Sequence, residues 1–146
     1  LRRVPELTAA PRRPRYVALA LATIVAGLVV HLALRGVLPD AVRDVAGDAL
    51  WATMVAWWIG ALAPARSAGV RAAVAYTVCV AVECSQLLHT PTLDALRATT
   101  PGHLVLGSGF DPRDLVAYLV GVLAAWRLEF AVAGAGGGAT RRGTAR

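Results

Sequence analysis

Residues 82–121, VECSQLLHTPTLDALRATTPGHLVLGSGFDPRDLVAYLVG, decide how the rest of the chain is read. The stretch leaves one apolar run through Glu83 and Gln86 and crosses a polar segment carrying Arg97, His103 and Gly107-Ser108-Gly109. It enters another apolar run through Asp111-Pro112-Arg113-Asp114. Ionisable side chains are expensive to hold at the edge of an apolar span, so their presence calls for partners or a function. Around this stretch the chain reads as a scaffold of apolar helices.

Composition agrees. Hydrophobic residues make up 57% of the 146 and charged residues only 16%, where soluble domains carry about a quarter charged. The net charge of +6 comes entirely from arginine, because the chain has no lysine. These arginines sit at the ends of apolar runs, which suits membrane orientation and excludes a nucleic-acid-binding reading. Arginine in place of lysine, with abundant alanine, indicates a bacterial source rich in G and C. Cys79 and Cys84 lie five positions apart in one run, about 140° apart on a helix, and are read as small apolar fillers.

Four runs follow in order: residues 16–34, 49–65, 72–88 and 114–133. The first is long enough to span hydrocarbon and too long for the core of a signal peptide. Asp48 after Gly47 is read as the N-cap of the second run, and Pro64 as its end. In the third, Tyr76, Cys79, Glu83 and Gln86 fall three, four and three residues apart, the pattern that puts them on one helix face. Residues 1–15 and 134–146 read as basic tails without structure. The expected fold is therefore all-α, a polytopic membrane protein with one four-helix domain over residues 16–133. Eleven arginines (Arg2, Arg3, Arg12, Arg13, Arg15, Arg66, Arg71, Arg127, Arg141, Arg142, Arg146) fall on one side of this topology. Four (Arg35, Arg43, Arg97, Arg113) fall on the other. That bias places both termini in the cytosol.

The same topology carries His31, Asp48, Glu83 and Asp114 to one layer below the outer face, with Gln86 and Tyr118 a turn along. Arg97, His103 and Arg113 lie on the loop above. Asp48, Glu83, Gln86, Arg97, Asp114 and Tyr118 are the expected binding residues, and Glu83, Asp114 and Arg97 are the candidates for any catalysis. Glu83 lies about 7 Å below the helix end, and Arg97 or Arg113 is its expected partner. Asp114 is balanced between a capping role and a functional one. No HxxxH spacing supports a metal, Asp111-Pro112-Arg113-Asp114 reads as a helix start, and Gly107-Ser108-Gly109 lacks the sequel of a dinucleotide or phosphate loop, so no cofactor is expected. Gly121 with Ala125, and Thr23 with Gly27, read as close helix packing. The apolar residues of the 25-residue connection 89–113, Phe110 among them, predict that it folds back on the bundle.

Glu83 and Gln86, Arg97, Leu106-Gly107, Gly109-Phe110, Asp114, Tyr118 and Gly121, together with Asp48-Ala49-Leu50-Trp51, resemble the bacterial membrane proteins called domain of unknown function 2809. The resemblance covers roughly residues 16–130. The chain is also similar, more loosely, to VanZ-like proteins, which share Glu-x-x-Gln, an Arg, then an Asp and a Gly entering the last helix. The first resemblance implies a small inner-membrane protein with no assigned reaction. The second implies a link to the cell envelope and glycopeptide resistance of the teicoplanin type. Two functions are carried forward. One is a non-catalytic accessory or binding module of the envelope, meeting membrane lipids and a lipid head group, cell-wall precursor or glycopeptide. The other is an intramembrane enzyme on a lipid or cell-wall precursor, with Glu83 or Asp114 as acid or base and Arg97 steadying an anion.

Overall fold

The computed structural model describes residues 12–107 and 109–138, and these are helical with no strand. Helix α1 (Arg12–Leu28) runs on through a π turn (Val29–Ala33). After a turn at Gly36, where φ is +84° and a side chain is disfavoured, α2 (Asp40–Leu62) returns. It is followed by α3 (Ala68–Ser85), two short helices α4 (Pro91–Arg97) and α5 (Thr100–Leu106), and α6 (Pro112–Gly138). The helices begin at Arg12 and continue to Gly138, inside both segments read as tails. The remaining tail residues, 1–11 and 139–146, lie outside the described residues.

Two expectations are corrected here. The second helix starts at Asp40, not at Asp48. Pro39 fixes its own φ at the boundary, Asp40 complements the helix dipole, and Arg43 pairs with Asp40 at 2.8 Å one turn on. Gly47 is absorbed into the helix at a small cost in propensity, so Asp48 is not a cap but an interior residue facing its neighbours. The connection 89–113 is also not an irregular loop. Thr90 accepts from the Leu93 amide at 3.2 Å and Thr99 from the Gly102 amide at 3.1 Å, and a proline opens each short helix. Thr90-Pro91 and Thr99-Thr100-Pro101 are thus helix starts. The segment does fold back on the bundle, with α5 against α3.

Helix α2 is the centre of the packing, touching α1, α3 and α6. One cluster joins Tyr16 and Ala20 to Trp57, Ala61 and Ala125; a second joins Ala52, Ala75 and Cys79 to Tyr118 and Val122. The contacts are close because small residues line them. A Cβ on Gly121 would lie 2.0 Å from the Ala49 carbonyl oxygen, and one on Gly60 would lie 2.8 Å from the Tyr16 ring. The Thr53 hydroxyl sits 2.8 Å from the Ala49 carbonyl and 2.9 Å from that of Gly121. Gly121 and Ala125 therefore pack as expected. Thr23 and Gly27 do not: Thr23 bonds its own helix at Leu19, and nothing lies within 4 Å of a Cβ on Gly27.

The outward faces are apolar. Val25, Leu32, Leu62, Val116 and Phe130 are each more than half exposed. Among the described residues, three helical segments are long and apolar enough to cross a membrane: Arg13–Ala33, Asp40–Leu62 and Ala68–Ser85. Apolar residues on the outside and alanine, glycine and polar side chains between helices is the arrangement lipid favours.

Candidate functional site at the acidic end

Helix directions bring the C-terminal ends of α1 and α3 together with the N-terminal ends of α2 and α6, so the acids collect at one end. Glu83 is at the centre of this layer and is completely buried. Its position follows from the stripe Ala75, Cys79, Glu83 on the buried face of α3. Glu83 Oε2 accepts from Gln86 Nε2 at 2.8 Å and from the Tyr118 hydroxyl at 3.0 Å. Its Oε1 accepts from the backbone amide of Asp111 at 2.7 Å.

This last bond is unusual in its partner. In a standard capping box the acid at the third helical position accepts from the N-cap amide. Here Asp111 caps α6, its Oδ1 accepting from the Arg113 amide at 2.8 Å. Its own amide goes to Glu83, on another helix. Asp114 is thereby released from the box, and its carboxyl lies near Asp48 on α2. Asp48 and Asp114 are both half-buried, and the Tyr118 ring packs on Trp51 beneath them, centroids 5.6 Å apart.

Gln86 extends the layer to the loop. Its Oε1 accepts from the Gly109 amide at 2.7 Å. A Cβ on Gly107, whose φ is +67°, would fall 2.5 Å from Gln86 Nε2, so glycine is required there both by backbone and by space. The residues 107–111 are thus laid across Glu83 and Gln86.

Neither arginine pairs with Glu83, contrary to expectation. Arg97 is buried, but its guanidinium donates to the carbonyls of Ser85 at 2.7 Å and Leu88 at 2.8 Å and lies 3.5 Å from Asp94. The end of α3 leaves carbonyls without intrahelical partners, and a five-donor guanidinium meets them. Arg113 is exposed and contributes only its amide; among the described residues no cation forms an ion pair with Glu83. His31 and His103 are exposed and stay outside the layer. So the structure unites Asp48, Glu83, Gln86, Asp114 and Tyr118, and sets Arg97 beside them in a separate role. Among the described residues no group of three or more His, Cys, Asp or Glu is arranged to hold a metal. Both cysteines are free, Cys79 buried and Cys84 exposed.

Sequence reasoning missed a second buried polar cluster at the opposite, basic end. Arg71, near the start of α3, donates to Glu129 on α6 and to the Tyr16 hydroxyl on α1 at 3.1 Å, and Tyr16 donates to Glu129 at 2.7 Å. Arg71 also donates to the carbonyls of Arg66 and, at 3.4 Å, Pro64. The available signal was the pairing of Arg71 and Glu129 at the same ends of facing apolar runs, read only as a marker of orientation.

These features define an all-helical protein with segments fit to cross a membrane and a closed polar layer at one end. The family described as Protein of unknown function (DUF2809) matches residues 37–122, more than half of the chain, and the protein belongs to that family. The matched region contains α2, α3, α4, α5 and the first turns of α6, so it holds the whole acidic layer. No solved structure matches the chain.

Proposed function

We propose that this is a bacterial cell-membrane protein with four spans, α6 (Pro112–Gly138) being the fourth, and with both termini in the cytosol. In that membrane it serves as a non-catalytic accessory or binding module of the envelope. The single observation that carries the second part is the state of Glu83. It is wholly buried, and donors of its own chain occupy both oxygens. A general base must reach the proton it abstracts, and an anion-steadying arginine must have donors to offer. Glu83 has no free access and both terminal nitrogens of buried Arg97 are engaged, with the Leu88 and Ser85 carbonyls, which supports a strut rather than a reacting pair. The outward-facing part of the layer is then the Asp48–Asp114 carboxyl pair. It suits a polar, hydroxyl- or amine-bearing head group: a lipid, a cell-wall precursor or a glycopeptide.

A deletion strain profiled against envelope antibiotics, teicoplanin included, tests this reading. The Asp48→Asn, Asp114→Asn double variant should accumulate normally in the membrane and fail to complement. Glu83→Gln should lose function only as far as it loses protein on a blot. A Glu83→Gln protein present in full amount yet inactive would favour the enzyme reading instead.

A further inference from the structure

The apolar surface does not stop at the acidic layer. Helix α2 continues eight residues beyond Asp48 to its start at Asp40, about 12 Å further out. Helix α3 ends at Ser85, two residues or about 3 Å past Glu83. Helices α4 and α5 lie at that end of α3. Arg97 ties the last turn of α4 to the Ser85 and Leu88 carbonyls at 2.7 and 2.8 Å, and α5 packs on both α3 and α4.

Beyond the layer both parts display apolar side chains. Val42 and Val45 in the first turns of α2, Leu87 and Leu88 just past α3, Leu96 on α4 and Val105 on α5 are each at least half exposed. Leu88 and Leu96 are brought together, because Arg97 follows Leu96 in the chain and holds the Leu88 carbonyl. The polar groups of the helix pair are meanwhile served within it. Thr90 and Thr99 accept from amides of their own helices, His89 lies 3.4 Å from Asp94, and Arg97 is buried. Exposed leucine and valine beside self-satisfied polar groups call for an apolar neighbour.

Length and continuity say which neighbour. The 18 residues of α3 reach about 27 Å, short of about 30 Å of hydrocarbon. Leu87 and Leu88 carry the exposed row of Val70, Val74 and Val78 past the last turn of α3, and Leu96 stands next to them. The patch is therefore a continuation of the surface that α3 presents to lipid. We infer that α4 and α5 are seated in the outer leaflet, where acyl chains meet head groups, with Leu87, Leu88, Leu96 and Val105 in contact with lipid. The inference rests on the membrane reading above.

The test puts spin labels on the full chain in phosphatidylcholine liposomes. It compares their collisions with oxygen, which concentrates in lipid, and with a water-soluble nickel chelate. Labels go on Leu96→Cys, Val105→Cys and His103→Cys in a Cys84→Ser background, since Cys79 is buried. A label on Val25→Cys, an exposed position within the first span, is the lipid reference. Labels at Leu96 and Val105 should favour oxygen several-fold, approaching the reference. His103, exposed and about 160° round α5 from Val105, should favour the chelate. Chelate preference at Leu96 and Val105 equal to that at His103 puts the helix pair in water and overturns the inference. Shielding of those two labels from both colliders means that a protein surface covers the patch, which overturns it as well. Oxygen preference as strong at His103 would sink the pair into the hydrocarbon and overturn the interfacial seating. If the Val25 label itself favours the chelate, the membrane reading is what fails, and the seating falls with it.

Discussion

The two ends of the bundle bury a glutamate in opposite ways. At the basic end Glu129 is met by a guanidinium, and the contact joins side chains of α1, α3 and α6. At the acidic end Glu83 meets no cation among the described residues; an amide side chain, a phenol and a backbone N–H meet it instead. The first arrangement ties helix to helix and contributes charge pairing. The second ties helix α3 to the loop entering α6, because one of its donors is the backbone of that loop. Neutral donors hold a carboxylate with geometry rather than charge, which leaves the arginine of the same region free to close the end of α3.

If this contrast is right, substitutions at the two ends should differ in size and in reach. The largest effect belongs to Arg71→Ala. It leaves Glu129 partly buried without its cation and frees two carbonyls, a loss of about 3–5 kcal/mol. The unfolding midpoint in detergent should fall sharply. Replacing the pair together, Arg71→Met with Glu129→Met, should recover most of that loss, since a buried ion pair is often no better than a well-packed apolar one. Next comes Glu83→Ala, which strands three donors and should destabilise by about 1–3 kcal/mol. The loss should concentrate in residues 107–111 and the start of α6. Gly107→Ala should be smaller, about 1–2 kcal/mol, from the positive φ and the approach to Gln86. It should loosen the loop without changing the basic end. Smallest is Cys84→Ser on the exposed face of α3, within about 0.5 kcal/mol and silent in both regions.

Much of this was legible in the residues. The three- and four-residue steps from Tyr76 to Gln86 put Glu83 and Gln86 on one face, and the burial of α3 follows them. The convergence of Asp48, Glu83, Asp114 and Tyr118 followed from counting spans and depths. What was not legible is equally specific. Glu83 takes one of its donors from a backbone amide, and backbone groups leave no mark in a sequence, so opposite charge pointed wrongly to Arg97. Arg97 instead answers carbonyls exposed by the end of α3, a need as physical as charge pairing and harder to see from spacing. Gly47 looked like a break because glycine usually is one, yet Pro39 and Asp40 had already set the helix in motion. Thr90-Pro91 and Thr99-Thr100-Pro101 could have been read as helix starts, since a threonine cap followed by a proline in the first turn suits both positions. The basic end escaped because arginines were counted rather than paired.

The most direct measurement is hydrogen exchange at the Asp111 and Gly109 amides in the wild-type protein and in Glu83→Ala and Gln86→Ala. The account predicts that both amides are protected in wild type. Glu83→Ala should expose Asp111, and Gln86→Ala should expose Gly109, while the helices around Arg71 keep their protection. Rapid exchange of both amides in wild type, or protection untouched by either substitution, would contradict the claim that Glu83 and Gln86 clamp the loop to the bundle.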